Sequence, residues 1–184
     1  MCSSDLVQST YAGVDPLMRP ELRRDYRLTG IKGIFGPLMS EYVFGWILAL
    51  ERGLFALDEQ QRQRSWIERP YKSLRGRTFG VAGLGSIGSH LVSTAGHFGM
   101  RVVGYRRVAQ PAEGVEKVYG GSQIGEFLAE CDYAAITLPN TPQTHHLVDA
   151  RALAAMKPSG VLINVGRGAV VDADALADAL RRRA

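Results

Sequence analysis

The stretch that decides the fold is Thr78-Phe79-Gly80-Val81-Ala82-Gly83-Leu84-Gly85-Ser86-Ile87-Gly88. Its first half is an apolar run that predicts a buried strand over 78–83. Its second half is a G-x-G-x-x-G turn, and Ser86 to Phe98 carries the apolar spacing of a helix. In a strand–turn–helix unit each glycine has a separate duty: Gly83 permits the tight turn, Gly85 lets backbone approach a pyrophosphate, and Gly88 lets the helix pack closely on the strand. The helix N-terminus adds unpaired N–H groups and about half a positive charge, which suits an anion. A G-x-G-x-x-G alone is weak, and an ordinary strand–turn–helix connection is the alternative. The strand before it and the helix after it make it a dinucleotide-binding candidate.

Downstream, the pattern alternates: strand 101–105, a short strand near 115–119, helix 122–130, strand 133–138, a helix near 149–156, strand 160–165, and a last helix begun at Asp172. This alternation predicts an α/β fold, a doubly wound parallel Rossmann-type sheet with its ligand at the carboxyl ends of the strands. Upstream, Pro37 to about Gln63 predicts one long helix, and Arg69 to Arg77 a basic linker. Residues 7–36 hold short apolar runs broken by Gly13, Pro16, Pro20, Gly30, Gly33 and Gly36, the strand and loop pieces of a partial domain. The chain opens as the end of a strand with nothing before it to pair, and it stops inside a helical pattern. Truncation at both ends is therefore expected. Residues 1–6 match what a sequencing adapter would encode in frame and are expected to be non-native.

The 184 residues suffice for one good core plus part of another, and 46% hydrophobic with 22% charged residues is a globular composition. A net charge of +4 raises the question of nucleic acid, but the basic residues are scattered, without a stripe interleaved with aromatics, so no nucleic-acid partner is expected. Cys2 and Cys131 lack a C-x-x-C partner, and no His, Cys, Asp or Glu group has metal-ligand spacing, so no metal is expected. Tyr42 to Leu50 is apolar but falls far short of the roughly 20 residues of a membrane span. No secretory leader is read, and a reducing cytoplasm is the expected compartment.

Arg106 and Arg107 follow the strand after the glycine loop, where an enzyme of this architecture using NAD carries an acidic residue for the adenosine 2′-hydroxyl. A carboxylate repels a 2′-phosphate, whereas a guanidinium binds it through paired, charge-assisted bonds. NADP(H) is thus favoured over NAD(H), with solvated surface arginines as the alternative.

Two further stretches lie at strand ends: Leu138-Pro139-Asn140-Thr141-Pro142-Gln143-Thr144, and Asn164-Val165-Gly166-Arg167-Gly168 within Leu162 to Asp172. With the glycine loop, the Ala12-Gly13-Val14-Asp15 stretch and the Ser40-Glu41-Tyr42-Val43 helix start, they resemble the D-isomer-specific 2-hydroxyacid dehydrogenases over nearly all of residues 7–184. The resemblance implies that residues 1–36 are the remnant of a flavodoxin-like substrate domain. Residues 37–76 become an interdomain or dimerisation helix and linker, and 77–184 an NAD(P)-binding domain incomplete at its C-terminus.

It also implies roles. Arg167 binds a small 2-oxo acid and polarises its carbonyl, and Ala12 and Gly13 offer backbone N–H groups to the substrate carboxylate. Ser86 and Ile87 contact pyrophosphate, Leu138, Pro139 and Thr144 line the nicotinamide side, and Val165 with Gly166 presents backbone there. The family completes its site with a glutamate and a general-acid histidine later than this arginine, in stretches the 184 residues do not reach. His145 and His146 are not expected to replace them, and His90 and His97 are read as packing or surface residues. The expected activity is hydride transfer between NADP(H) and a 2-oxo acid, glyoxylate or hydroxypyruvate foremost, in a homodimer. A nucleotide-sensing binding module and an inactive fragment are the alternatives. The 184 residues themselves are expected to bind NADPH weakly without turning over glyoxylate.

Overall fold

The computed structural model describes residues 5–11, 13–23 and 25–182. The chain divides into two units, Met1–Phe35 and Gly36–Ala184. In the first, strands β1 (Leu6–Ser9) and β2 (Arg27–Gly30) run parallel, with Leu6 opposite Arg27 and Ser9 opposite Gly30, and a short 3-10 helix covers Asp15–Met18. The opening strand therefore has a partner, supplied by the chain that follows it.

The second unit begins with α1 (Gly36–Glu51) and α2 (Leu54–Arg62). These replace the single expected helix. The apolar spacing continues across the junction, but Gly53 sits at φ 63° in the left-handed region, and its N–H closes on the Leu50 carbonyl at 3.1 Å. Glycine takes this conformation without a Cβ penalty, so the first helix ends and the second starts there.

Then follow β3 (Thr78–Ala82), α3 (Ser86–His97), β4 (Arg101–Arg106), β5 (Lys117–Gly120), α4 (Ile124–Glu130), β6 (Tyr133–Ile136), α5 (Ala150–Ala154), β7 (Val161–Asn164) and α6 (Ala173–Arg182). The five strands form one parallel sheet in the order β5-β4-β3-β6-β7. Every residue of β3 and β6 is buried, as expected for central strands covered on both faces. One face packs Phe79 and Val81 against Val43, Phe44 and Ile47 of α1 and Leu91, Val92 and Ala95 of α3. The other packs Val103, Tyr105, Ala134 and Ile136 against Phe127 and Leu128 of α4, with Val148 and Val170. Helix α1 is thus part of this core: Phe44 lies 5.1 Å from Phe79 ring to ring, and the Ser40 and Thr94 hydroxyls meet at 2.6 Å.

The amino ends of the central strands are tied by Asp132. Its carboxylate accepts from the Thr78 N–H at 2.7 Å and from Lys157 Nζ at 2.8 Å, and its backbone carbonyl accepts from the Val161 N–H at 2.9 Å. Burial alone would raise the carboxyl pKa, but the bonds from Lys157 and Thr78 outweigh it and hold Asp132 below the usual range. A lowered carboxylate pKa contributes stability above the unfolded value and loses it as pH falls through the folded one. Asp132→Asn is expected to cost about 1–3 kcal/mol at neutral pH. Urea denaturation across pH should find that deficit shrinking below about pH 4.

Candidate functional site

Because the sheet is parallel, the carboxyl ends of its strands share one edge, and chain order reverses between β3 and β6. A crevice at such a reversal is where open α/β sheets bind ligands. The glycine loop follows β3, Arg106 closes β4, Thr137 to Thr144 follows β6, and Val165 to Arg167 follows β7.

The three loop glycines sit in different surroundings. Gly83 has φ 106°, its N–H donates to the Tyr105 carbonyl at 2.9 Å, and a Cβ there would lie 2.5 Å from the Thr137 hydroxyl. At Gly88 a Cβ would lie 2.1 Å from the Gly83 carbonyl oxygen and 3.2 Å from Val81, so a side chain would push α3 off β3. At Gly85 a Cβ would meet nothing within 4 Å. The open space is on Gly85, the N-cap of α3, which provides no side-chain cap, and the first turn holds no acidic residue. Its first N–H groups and its dipole are therefore available to an anionic ligand. Ser86 is exposed, and Ile87 is half-buried against the α1/α3 core.

Beside this loop, Leu84, Gly85, Arg106, Arg107, Val108 and Gln110 line a cleft of about 460 Å³. Both predicted arginines thus reach the glycine loop's own cleft. Two somewhat larger hollows, of about 600 and 490 Å³, lie by α1, α2 and the 66–72 segment and beside β7 and α6. The smaller cleft is the one that joins the glycine loop to the two arginines.

The loop after β6 is closed by its own threonine. Thr144 Oγ1 contacts the Pro139 carbonyl at 2.5 Å and accepts from the Thr141 N–H at 2.8 Å. Leu138 is buried in the core beside Val148 and Val170, while Pro139 is exposed. Leu138 and Thr144 accordingly set the course of the backbone in this loop.

Arg167 is half-buried, on a turn shaped by Asn164. Asn164 Oδ1 accepts from the Gly166 N–H at 3.0 Å, and its Nδ2 donates to the Arg167 carbonyl at 3.0 Å, bridging the turn from both sides. Val165 continues the ladder by donating to the Ile136 carbonyl at 3.0 Å. Gly166 lies against the β6 loop, where a Cβ would be 2.5 Å from the Leu138 carbonyl oxygen.

Ala12 lies outside the described residues, and Gly13 is half-buried in the first unit. His145 and His146 stack on each other with ring centroids 4.1 Å apart, and His146 Nδ1 lies 3.7 Å from Asp172, the residue whose carboxylate caps α6 at the Ala175 N–H. The His90 ring packs over Gly36, and His97 contacts the Ser93 carbonyl. Cys131 is buried, and desolvation pushes its thiol up to about 12, which removes it as a nucleophile. Among the described residues, no group of three His, Cys, Asp or Glu residues could hold a metal ion, and no helix is long and apolar enough to cross a membrane. The sequence reading missed Thr137 and the bridging role of Asn164. Both act through contacts between loops far apart in sequence or folded back on themselves, which no spacing signals.

Comparison with known proteins shows the family and the fold. The family model described as "D-isomer specific 2-hydroxyacid dehydrogenase, NAD binding domain" matches residues 44–184. A family protein of that description from Aeromonas salmonicida is 48% identical with a TM-score of 0.91, covering 96% of this chain and 57% of its own. One from Xanthobacter autotrophicus Py2, solved with NADPH and MES, is 32% identical with a TM-score of 0.84 over 96% of this chain and 56% of its own. A curated relative, "Glyoxylate reductase" from Thermococcus litoralis, is 32% identical over 171 residues, 86% of this chain and 51% of the relative. The chain spans about half the length of that relative.

The surroundings of the glycines separate binding from stability. Gly88→Ala is expected to cost about 1–3 kcal/mol in urea denaturation, because the clash is with backbone. Gly85→Ala should stay within about 0.5 kcal/mol of wild type while weakening NADPH in a fluorescence titration.

Proposed function

This chain belongs to the D-isomer specific 2-hydroxyacid dehydrogenase family, and we propose that it serves hydride transfer between NADP(H) and a small 2-oxo acid, yielding the D-2-hydroxy acid, with glyoxylate or hydroxypyruvate the favoured substrate. The observation that carries the reading is the pairing, on one sheet edge, of an open glycine loop beside Arg106 and Arg107 with Arg167 on its bridged turn.

The residues present suit a dinucleotide. Gly85 leaves room for phosphate, the α3 N-terminus is uncapped by any side chain, and the neighbouring cleft is basic. When bound, the cofactor supplies a hydride. Ser86 and Ile87 would present backbone N–H groups to the pyrophosphate. Arg106, with Arg107, would take the 2′-phosphate through charge-assisted bonds that a carboxylate at this place would forbid. NADPH in the Xanthobacter relative and the name of the Thermococcus relative support the choice of cofactor and substrate.

The Arg167 guanidinium would grip the substrate carboxylate and stabilise the carbonyl oxygen as it gains charge, a role suited to a donor fixed before the reaction. The Asn164 bridge fixes the backbone of its turn. The proton for that oxygen is assigned, by the family resemblance, to a histidine held by a glutamate, an effect typically of about 10²–10⁴ in rate.

The proposed compartment is a reducing cytoplasm, since neither cysteine has a pairing motif. We also assign a homodimer. Leu38, Tyr42, Trp46 and Leu50 repeat every fourth residue along α1 and are all exposed, and Trp46 stacks on exposed Phe55 of α2 at 5.9 Å. A continuous apolar stripe of this kind suits a second copy of the same surface.

Titration of the chain with both reduced cofactors is expected to give tighter binding of NADPH. Arg106→Asp should weaken NADPH roughly tenfold or more and favour NADH; an unchanged preference would remove the arginine argument. Assayed with its downstream histidine and glutamate in place, the protein should oxidise NADPH with glyoxylate or hydroxypyruvate. Tight NADPH binding without turnover would instead support a binding module. For the dimer, sedimentation should find Trp46→Glu monomeric at concentrations where the unaltered chain is paired.

A further inference from the structure

Thr137 stands one residue beyond β6, outside every motif, yet it touches both loops of the proposed site. Its hydroxyl lies 2.7 Å from the Gly83 carbonyl oxygen and 3.1 Å from that of Ala82. The Ala82 carbonyl already accepts the Thr137 N–H at 2.8 Å, so the hydroxyl proton is best used on Gly83. The Gly83 oxygen is also confined from the helix side, since a Cβ on Gly88 would approach it to 2.1 Å. On its other flank the Thr137–Leu138 peptide supports the arginine turn: a Cβ on Gly166 would lie 3.1 Å from the Thr137 carbonyl carbon and 2.9 Å from the Leu138 nitrogen.

We infer that Thr137 is a positioning residue for the dinucleotide loop: its hydroxyl pins the Gly83 carbonyl against β6 and thereby orients the amides of residues 84–87 toward the ligand. The inference rests on the reading that this loop receives a dinucleotide. The peptide between Gly83 and Leu84 is a rigid plane, so its carbonyl and its N–H turn together. Gly83, at φ 106°, belongs to the residue type that rotates most cheaply. Unpinned, this plane can swing a carbonyl dipole toward the phosphate and an N–H away from it, which reverses the sign of the local field. A hydroxyl donor on the neighbouring strand selects one orientation before ligand arrives. Aliphatic side chains of the same size cannot do so.

Three chains test this: wild type, Thr137→Val, which keeps the shape without the hydroxyl, and Thr137→Ser, which keeps the hydroxyl. Backbone amide exchange by NMR is read without ligand, and NADPH affinity by fluorescence titration. Thr137→Val is expected to speed exchange at residues 84–87 above the rest of the sheet and to weaken NADPH roughly two- to tenfold. Thr137→Ser should match wild type in both. Should the valine chain fail to fold, Thr137→Ala takes its place in the same comparison. A hydroxyl-free variant with wild-type loop exchange overturns the inference, as does a serine chain that behaves like valine, or exchange raised uniformly across the sheet. A wild-type chain that takes up neither NADPH nor NADH overturns the dinucleotide reading instead, and the exchange measurement still decides the role of Thr137.

Discussion

The closeness of α3 to β3 is the constraint on which the second unit depends. A helix packed so tightly that a single methyl at Gly88 would enter the Gly83 carbonyl leaves the intervening turn little freedom. That contact sets where the α3 N-terminus points and which backbone groups remain open at Gly85. It also lets Leu91, Val92 and Ala95 reach the β3 face, where Phe79 and Val81 meet α1. The same approach that leaves the space at Gly85 open therefore closes one half of the core. Dispersion contacts fall steeply with distance, so moving the helix by a methyl radius weakens both together.

The opposite face is organised by different means. There α4 packs on Tyr105, Tyr119 and Ile136 through Phe127, with rings 5.8 and 6.0 Å from the two tyrosines. Polar ties secure the amino ends of the strands: Asp132 joins β3, β6 and Lys157, while Glu130 meets Arg101, Lys117 and the Tyr119 hydroxyl. These groups are spent on structure. At the carboxyl edge the arrangement differs, because loops, glycines and arginines stand there. The sheet is thus fastened at one edge and open at the other, a division that favours a rigid site over a mobile one.

Much of this was legible in the sequence, for identifiable reasons. Strands β3, β4, β6 and β7 are built around short apolar runs, and the glycine loop fixes where β3 stops and α3 begins. Ends differ by a residue or two, since β6 closes at Ile136 rather than 138, the chain being turned there by the Thr137 and Leu138 contacts. The break between α1 and α2 was hidden because apolar spacing persists through Arg52 and Gly53, and a helix tolerates one glycine. Strand β2, Arg27–Gly30, carries too little apolar residue to signal itself, yet it is the partner of β1. In the site, residue types that bring their chemistry with them, the glycines and the arginines, were visible. Thr137 and Asn164 were not, since their importance comes from neighbours brought near only by folding.

The order of the sheet explains why such unseen residues gather at one point. Between β3 and β6 the chain direction of growth reverses, and the Thr137–Leu138 peptide follows β6 at this point. On the β3 side a Cβ on Gly83 would meet the Thr137 hydroxyl at 2.5 Å, and on the β7 side a Cβ on Gly166 would meet the Leu138 carbonyl oxygen at 2.5 Å, distances only glycine permits. A larger residue in either place would shift the peptide and, with it, the opposite loop. The spacing between the glycine loop and the Arg167 turn is therefore a property of one shared peptide rather than of two independent loops. For a reaction between two bound molecules this matters, because displacement of reacting atoms by about 1 Å can cost on the order of a hundredfold in rate. The side chain best placed to hold that peptide in register is the one whose hydroxyl already binds the glycine loop.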